Sequence, residues 1–293
     1  MDNGLVPASL KSMHVLVADE WRRRRAHHER RVDLLLGEHL HRRSTGVKHP
    51  VADFLFTYYS YRPAQLRRWH PGAVAVLADA DPSELGPEYV ASAEGTTLDV
   101  STLLERRGAA ITWIRDLLAA TASRPPHFGC FGLHEWAMVY RQDPDEIRHR
   151  DWPLRLDPAV VLTQNRVRCS HFDAFRFFTP AARPLNVLQP TREGQLANEQ
   201  PGCLHANMDV YRWAYKLSPL VSSDLVADCF ELAREIRALD MRAGPYDLAE
   251  LGFDPVQVET AEGRAEYTRQ QREFADRAAV LRRRLIDACR VLG

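Results

Sequence analysis

The sequence predicts a predominantly α-helical protein, a compact multi-helix single body over residues 1–293 with a long amphipathic helix at its C-terminal end. Three observations carry this. Tyr267, Phe274, Ala278, Leu281, Leu285, Ala288 and Leu292 step by seven, four and three, an apolar seam on a helix of roughly thirty residues. Several other segments show the same periodicity between recognisable start and stop residues. Strand signals are sparse, and no linker is long or polar enough to demand a second domain.

Taken in order, residues 1–12 read as a flexible tail. The segment DEWRRRRAHHERRVDLLLGEHLHRR follows as a helix with Trp21, His28, Val32 and Leu35 on one face. Its stretch from Arg22 to Arg31 holds six arginines against one glutamate, read as a solvated face paired with acids elsewhere or as a phosphate-binding patch. AVAVLAD at 73–79 and AVVLTQ at 159–164 are the two short strand-like runs, which could equally be buried turns. Residues 79–97 and 180–202, rich in Pro, Gly, Ser and acids, read as surface loops. Thr102-Leu103-Leu104-Glu105 reads as a capping box opening a helix that buries Ile111, Ile114 and Leu118. Pro201-Gly202 and Ser218-Pro219 bracket a helix over 204–217, and Ser222 or Ser223 starts one that buries Leu225, Cys229, Leu232, Ile236 and Leu239.

Composition excludes several classes. Basic and acidic residues balance at 39 each, so no global field draws the chain to nucleic acid or to an anionic membrane. Only Lys11, Lys48 and Lys216 are lysines, which leaves 36 arginines among the 39 basic residues. Five cysteines, odd in number and widely spaced, predict a reducing cytoplasm with free or metal-bound thiols. No signal peptide is evident, and no apolar run is long enough to span a membrane. Gly-x-Gly-x-x-Gly, P-loop, Gly-x-Ser-x-Gly and His-Glu-x-x-His signatures are all missing.

The chemistry-bearing residues recur as His–carboxylate couples embedded in aromatics. RCSHFDAFRFF at 168–178 holds His171 and Asp173 with Phe175 and Arg176, where Ser170 and Asp173 could equally be a capping pair. GCLHANMD at 202–209 places His205 and Asp209 at i, i+4. HPVADFLFTYYSYRP spaces His49 and Asp53 the same way before Tyr58 and Tyr59, and runs on to Trp69; FGLHEWAMVYR sets His134 and Glu135 beside Trp136. Together they predict a concave, aromatic-lined site with convergent ionisable groups. Three chemistries fit. Cys169, His171, Cys203 and His205 could form a tetrahedral zinc site, although the one-residue gap is tight. His49, Asp53, Glu135, His171, Asp173, His205 and Asp209 could hold iron or manganese in a small-molecule oxygenase or hydrolase. A carboxylate such as Asp173 could assist N-glycosidic cleavage without metal, with aromatics stacking the base.

The blocks HPVADFLFTYYSYRPAQLRRWHPG, RCSHFDAFRFFTPAARPLN and EQPGCLHANMDVYRWAYKL resemble a family of actinobacterial proteins labelled 3-methyladenine DNA glycosylase, over roughly residues 25–290. The resemblance implies hydrolytic release of alkylated purine bases from DNA, or action on a small purine-like molecule, with no required cofactor. The chain carries no Leu-Pro-Gly-x-Gly-like hairpin. With that activity, Asp173, His171, Glu135 and Asp209 are the candidate catalytic residues. Tyr58, Tyr59, Trp69, Phe175, Arg176 and Trp136 are the candidates for holding the base. A non-catalytic interaction protein, or a homo-oligomer formed through the C-terminal seam, is the remaining expectation.

Overall fold

The computed structural model describes residues 13–292, and the expected N-terminal tail at 1–12 lies outside the described residues. The chain opens with strand β1 (His14–Leu16) and the long helix α1 (Ala18–Thr45), then the short helices α2 (Phe54–Tyr58) and α3 (Pro63–Arg67). Strand β2 (Ala75–Leu77), helix α4 (Pro82–Leu85), and the hairpin β3 (Tyr89–Ser92) and β4 (Gly95–Leu98) follow. After helix α5 (Val100–Ala122) come four short helices, α6 (Leu133–Ala137), α7 (Pro158–Thr163), α8 (Phe172–Phe175) and α9 (Gln195–Asn198). The chain ends with α10 (Leu204–Met208), α11 (Val210–Leu217), α12 (Ser223–Ala243) and the long α13 (Ala261–Ala288). Helix dominates, as the periodicity predicts. The single small sheet has the order β1-β2-β4-β3, with β1 parallel to β2 and the other neighbours antiparallel.

Helix α12 is the axis of the body. Ser222 caps it by accepting from Leu225 N, as expected. Its buried residues go almost all round the helix, which is the mark of a central helix rather than a surface one. The apolar seam of α13 lies along α12 and α5 of the same chain, burying Tyr267, Phe274, Ala278 and Leu285; the side chain of Leu292 lies outside the described residues. Two polar residues interrupt that seam and reach the start of α10. Gln271 Nε2 donates to Gly202 O at 2.6 Å, and Arg282 Nη2 donates to Asn207 Oδ1 at 2.7 Å. Gln200 Oε1 accepts from both His127 N (2.8 Å) and Gly202 N (2.7 Å), stitching the 124–130 loop to the same turn. A Cβ at Gly202 would lie 2.6 Å from His127 O, so only glycine permits this approach.

Four local readings are corrected. Residues 159–163 lie in helix α7, with Gln164 as its C-cap, rather than in a strand, because Asp157 caps Ala159 N and Pro158 sits at the first helical position. The 79–97 loop contains the β3–β4 hairpin, whose turn uses Gly95 at positive φ. Helix α5 starts earlier than Thr102, with Asp99 accepting from Thr102 N at 3.0 Å. The expected helix over 204–217 divides into α10 and α11 at Asp209, whose carboxylate accepts from Tyr59 Oη at 2.7 Å. On α1 the buried face is Trp21, His28, Val32 and Leu36, with Leu35 only partly buried. Within the arginine run, Arg24 pairs with Glu20, Arg25 with Glu84, and Arg31 with Asp228 and Glu231, in line with a solvated, paired face.

Candidate metal centre and its two cavities

Three elements bring donors to one buried point. Helix α12 supplies Arg237 and Asp240, three residues apart and therefore on one side of the helix. Helix α6 supplies His134 and Glu135, and α10 supplies His205. Phe131 (φ 48°) and Gly132 (φ 71°) are both left-handed and turn the chain sharply between Cys130 and α6. A Cβ on Gly132 would come 3.0 Å from Ala243 Cβ, and Trp136 Nε1 donates to Ala243 O at 2.9 Å, so α6 is pinned to the end of α12.

His134 Nε2 lies 2.7 Å from Asp240 Oδ1, and His134 Nδ1 lies 3.3 Å from Cys130 Sγ. Arg237 Nη1 donates to Asp240 Oδ2 and to Glu135 Oε1, both at 2.8 Å. His205 Nε2 stands 3.9 Å from Asp240 Oδ2, its ring edge-on to His134 at 4.4 Å. One donor atom each from His134, His205 and Asp240 falls within 4.8 Å of the others, and all three residues are buried. Among the described residues this is the one group of three such donors.

The electrostatics are those of a buried network. Burial opposes charge on His134, but Asp240 and then Cys130 outweigh it and hold its pKa well above the usual histidine range. Asp240 is held well below the usual carboxylate range, burial being outweighed chiefly by His134. Burial and the neighbouring His134 push His205 down to about 3, so its imidazole is neutral and able to ligate. Burial raises Glu135 despite Arg237.

A second layer lies behind His205. The ring of His171 sits 5.5 Å from that of His205, with Nδ1 3.6 Å from Glu199 Oε1 and Nε2 3.4 Å from Asp209 Oδ2. Neither nitrogen has a hydrogen-bond partner, and burial with His205 nearby holds the ring neutral. Arg212 joins Asp209 to Asp173, and Arg192 (3.1 Å) and Arg176 (3.2 Å) complete a guanidinium clamp on Asp173. Burial would raise Asp173, but these arginines, Arg212 first, hold its pKa low.

Two cavities meet at His205. The larger, about 700 Å³, is walled by His134, His205, Cys130, Cys169, Cys203 and the buried Tyr267. The smaller, about 170 Å³, lies on the other side, between Phe54, Tyr58, Phe177 and Tyr246. Comparison with known protein families, curated proteins and solved structures finds no match.

Of the residues singled out in the sequence, Glu135, His171, Asp173, His205 and Asp209 converge on this network. His49 and Asp53 do not. His49 Nδ1 accepts from Val51 N (3.2 Å) and Ala52 N (3.1 Å), while Asp53 accepts from His49 N and pairs with His39 at 2.9 Å. They are the turn that starts α2, so the seven residues are not brought together; the three donors that are brought together are His134, His205 and Asp240. The zinc tetrad does not form either: Cys169 and Cys203 line the larger cavity, but His171 turns to Glu199 and Asp209. Tyr58 and Asp173 line the smaller cavity and Arg176 stacks over its Phe177 at 4.5 Å. Tyr59 instead holds Asp209. Trp69 packs on Trp21 at 6.4 Å, Phe175 on Phe178 at 5.1 Å, and Trp136 is fully buried, so these three serve the core. Asp240, Arg237 and Cys130 went unread in the sequence. The available signals were Cys130-x-x-x-His134 and a carboxylate four residues beyond Ile236, on the apolar stripe of α12, with an arginine three residues before it.

Proposed function

We propose that this chain is a metal-dependent enzyme acting on a small molecule in the larger cavity, with His134, His205 and Asp240 holding iron(II) or manganese(II). The observation that carries the reading is the convergence of two histidines and one carboxylate within 4.8 Å of one another, with both histidines in the wall of an approximately 700 Å³ cavity. Such a set leaves coordination positions open, and iron(II) held this way supplies oxygen-dependent oxidation of a bound molecule. The chain's own groups then act as follows. Arg237 fixes the carboxylate of Asp240, and Glu135 fixes Arg237. Cys130, at 3.3 Å from Nδ1, sets the ring orientation of His134, the outer-shell role that metal-bound histidines need. The proton between His134 and Asp240 would have to leave for these two residues to hold a metal, so binding would release acid. In the cavity, Ser170 and Asn198 offer polar contacts, and the hydroxyl of Tyr267, a residue of the cavity wall, is buried without a hydrogen-bond partner.

The test is elemental analysis of the purified protein. The reading expects about one iron or manganese per chain, lost in His205→Ala and Asp240→Asn. A metal-free protein from supplemented medium, or full metal retained by both variants, would overturn it.

The base-excising N-glycosylase implied by the sequence resemblance is the second reading. It is favoured by Asp173 facing a small cavity with aromatic walls. It ranks second because Asp173 is already engaged by Arg212, Arg192 and Arg176, where a cationic alkylated purine would need a free carboxylate. Release of free base from alkylated DNA, abolished in Asp173→Asn, would reverse the order.

A further inference from the structure

The smaller cavity shares His205, Arg237 and Glu135 with the proposed metal centre but opens on its other side, and it carries the features of a ligand site in its own right. Its volume of about 170 Å³ is close to that of an apolar cavity that accepts one benzene ring, so it suits a single ring with a short substituent and excludes a nucleotide. Phe54, Tyr58, Phe177 and Tyr246 supply apolar walls for such a ring.

The sign of the substituent follows from what the walls already hold. Arg237 lies over the Phe54 ring at 3.9 Å and Arg148 over the same ring at 5.8 Å. Arg212 covers Tyr58 at 5.2 Å and Arg176 covers Phe177 at 4.5 Å. Three of the four wall rings are therefore already engaged by guanidinium groups, which would repel a cation, while Tyr246 meets only the neutral ring of His149. The acids around the cavity are mostly spent. Glu135 is bound by Arg237, Asp173 by its three arginines, and only Glu146, out at the exposed rim, has no ion pair among the described residues.

Two cationic groups, in contrast, have unused capacity. Arg237 is 2% exposed and its Nε is buried with no hydrogen-bond partner, an arrangement that costs stability unless something accepts from it. The exposed Arg148 guanidinium makes no ion pair among the described residues and stands at the rim of the same cavity. Neutral His149, pushed down to about 4 by burial, and Gln142 complete the polar lining.

We infer that this cavity is a second binding site, specific for a small one-ring aromatic carboxylate whose ring lies between Phe54, Phe177 and Tyr246 and whose carboxylate meets Arg148 and Arg237. The inference goes beyond the metal reading and does not rest on it, although His205 forms part of both walls and Arg237 also holds Asp240.

The test is calorimetric titration of the full chain, metal-loaded and chelator-stripped, with benzoate, benzyl alcohol and benzamidine as probes of equal ring size and different charge. Benzoate is expected to bind in the millimolar range or tighter, at least about tenfold better than either other probe, in both metal states. Arg148→Gln should weaken benzoate by about tenfold and leave benzyl alcohol unchanged, while Arg148→Lys restores part of the loss. Arg148 is exposed, so these variants do not disturb the core. The inference is overturned if benzamidine binds as well as benzoate, if Arg148→Gln leaves benzoate binding intact, or if no benzoate binds at about 10 mM. Metal analysis of the same samples reports separately on the metal centre, so either claim can fail alone.

Discussion

Glu199 stands behind His171 in the wall that supports His205, and its ionisation is legible as a pH dependence of stability. Burial, then the neighbouring Asp209, raises its pKa from 4.5 to about 8, while Gln195 Nε2 donates to its Oε1 at 2.6 Å. The folded state therefore keeps a proton that the unfolded chain loses, so stability is greatest below the unfolded pKa and declines as pH rises toward the folded one. Between about pH 5 and about pH 8 this single group removes about 3 to 4 kcal/mol from the unfolding free energy. Glu199→Gln keeps the acceptor for Gln195 and has no proton to lose. Urea unfolding across that range should show the variant gaining on the parent as pH rises, its advantage largest at the alkaline end, since the depressed histidines such as His205 and His149 act on both proteins alike. Parallel curves for the two proteins would refute the assignment of Glu199 as a buried neutral acid.

Three further outcomes follow from the same contacts. Gly202→Ala forces a Cβ to 2.6 Å from His127 O and should cost about 1 to 3 kcal/mol in chemical denaturation, with loss of metal because the turn carries α10. Arg237→Met strips the partner from two buried carboxylates; it should cost about 3 to 5 kcal/mol of stability and weaken metal binding about 10- to 100-fold by competition titration. His49→Ala, which removes only a local turn contact, should leave metal content unchanged by elemental analysis.

The helical body was readable because long amphipathic segments carry their own periodicity: α1, α12 with its Ser222 cap, and the seam of α13 all fall where the spacing puts them. The β3–β4 hairpin was not, since its strands are only four residues each and look like loop in composition. The site was half readable. Density of His–carboxylate couples pointed to Glu135, His171, Asp173, His205 and Asp209, which do gather in one buried network. The same spacing misled at His49 and Asp53, because a turn that starts a helix uses the same residue types to satisfy backbone amides. Asp240 and Arg237 were hidden for the opposite reason. They sit within an apolar stripe that reads as core, and a carboxylate there acquires meaning only when α6 and α10 deliver His134 and His205 from residues far away in sequence.

The claim that matters most is the identity of the metal's ligands, and X-ray absorption of the iron-loaded protein addresses it directly. The account predicts a first shell of two imidazole nitrogens with the remainder oxygen, and loss of one imidazole contribution in His205→Ala. A metal–sulfur distance of about 2.3 Å, placing Cys130, Cys169 or Cys203 in the shell, or a first shell without imidazole, would contradict it.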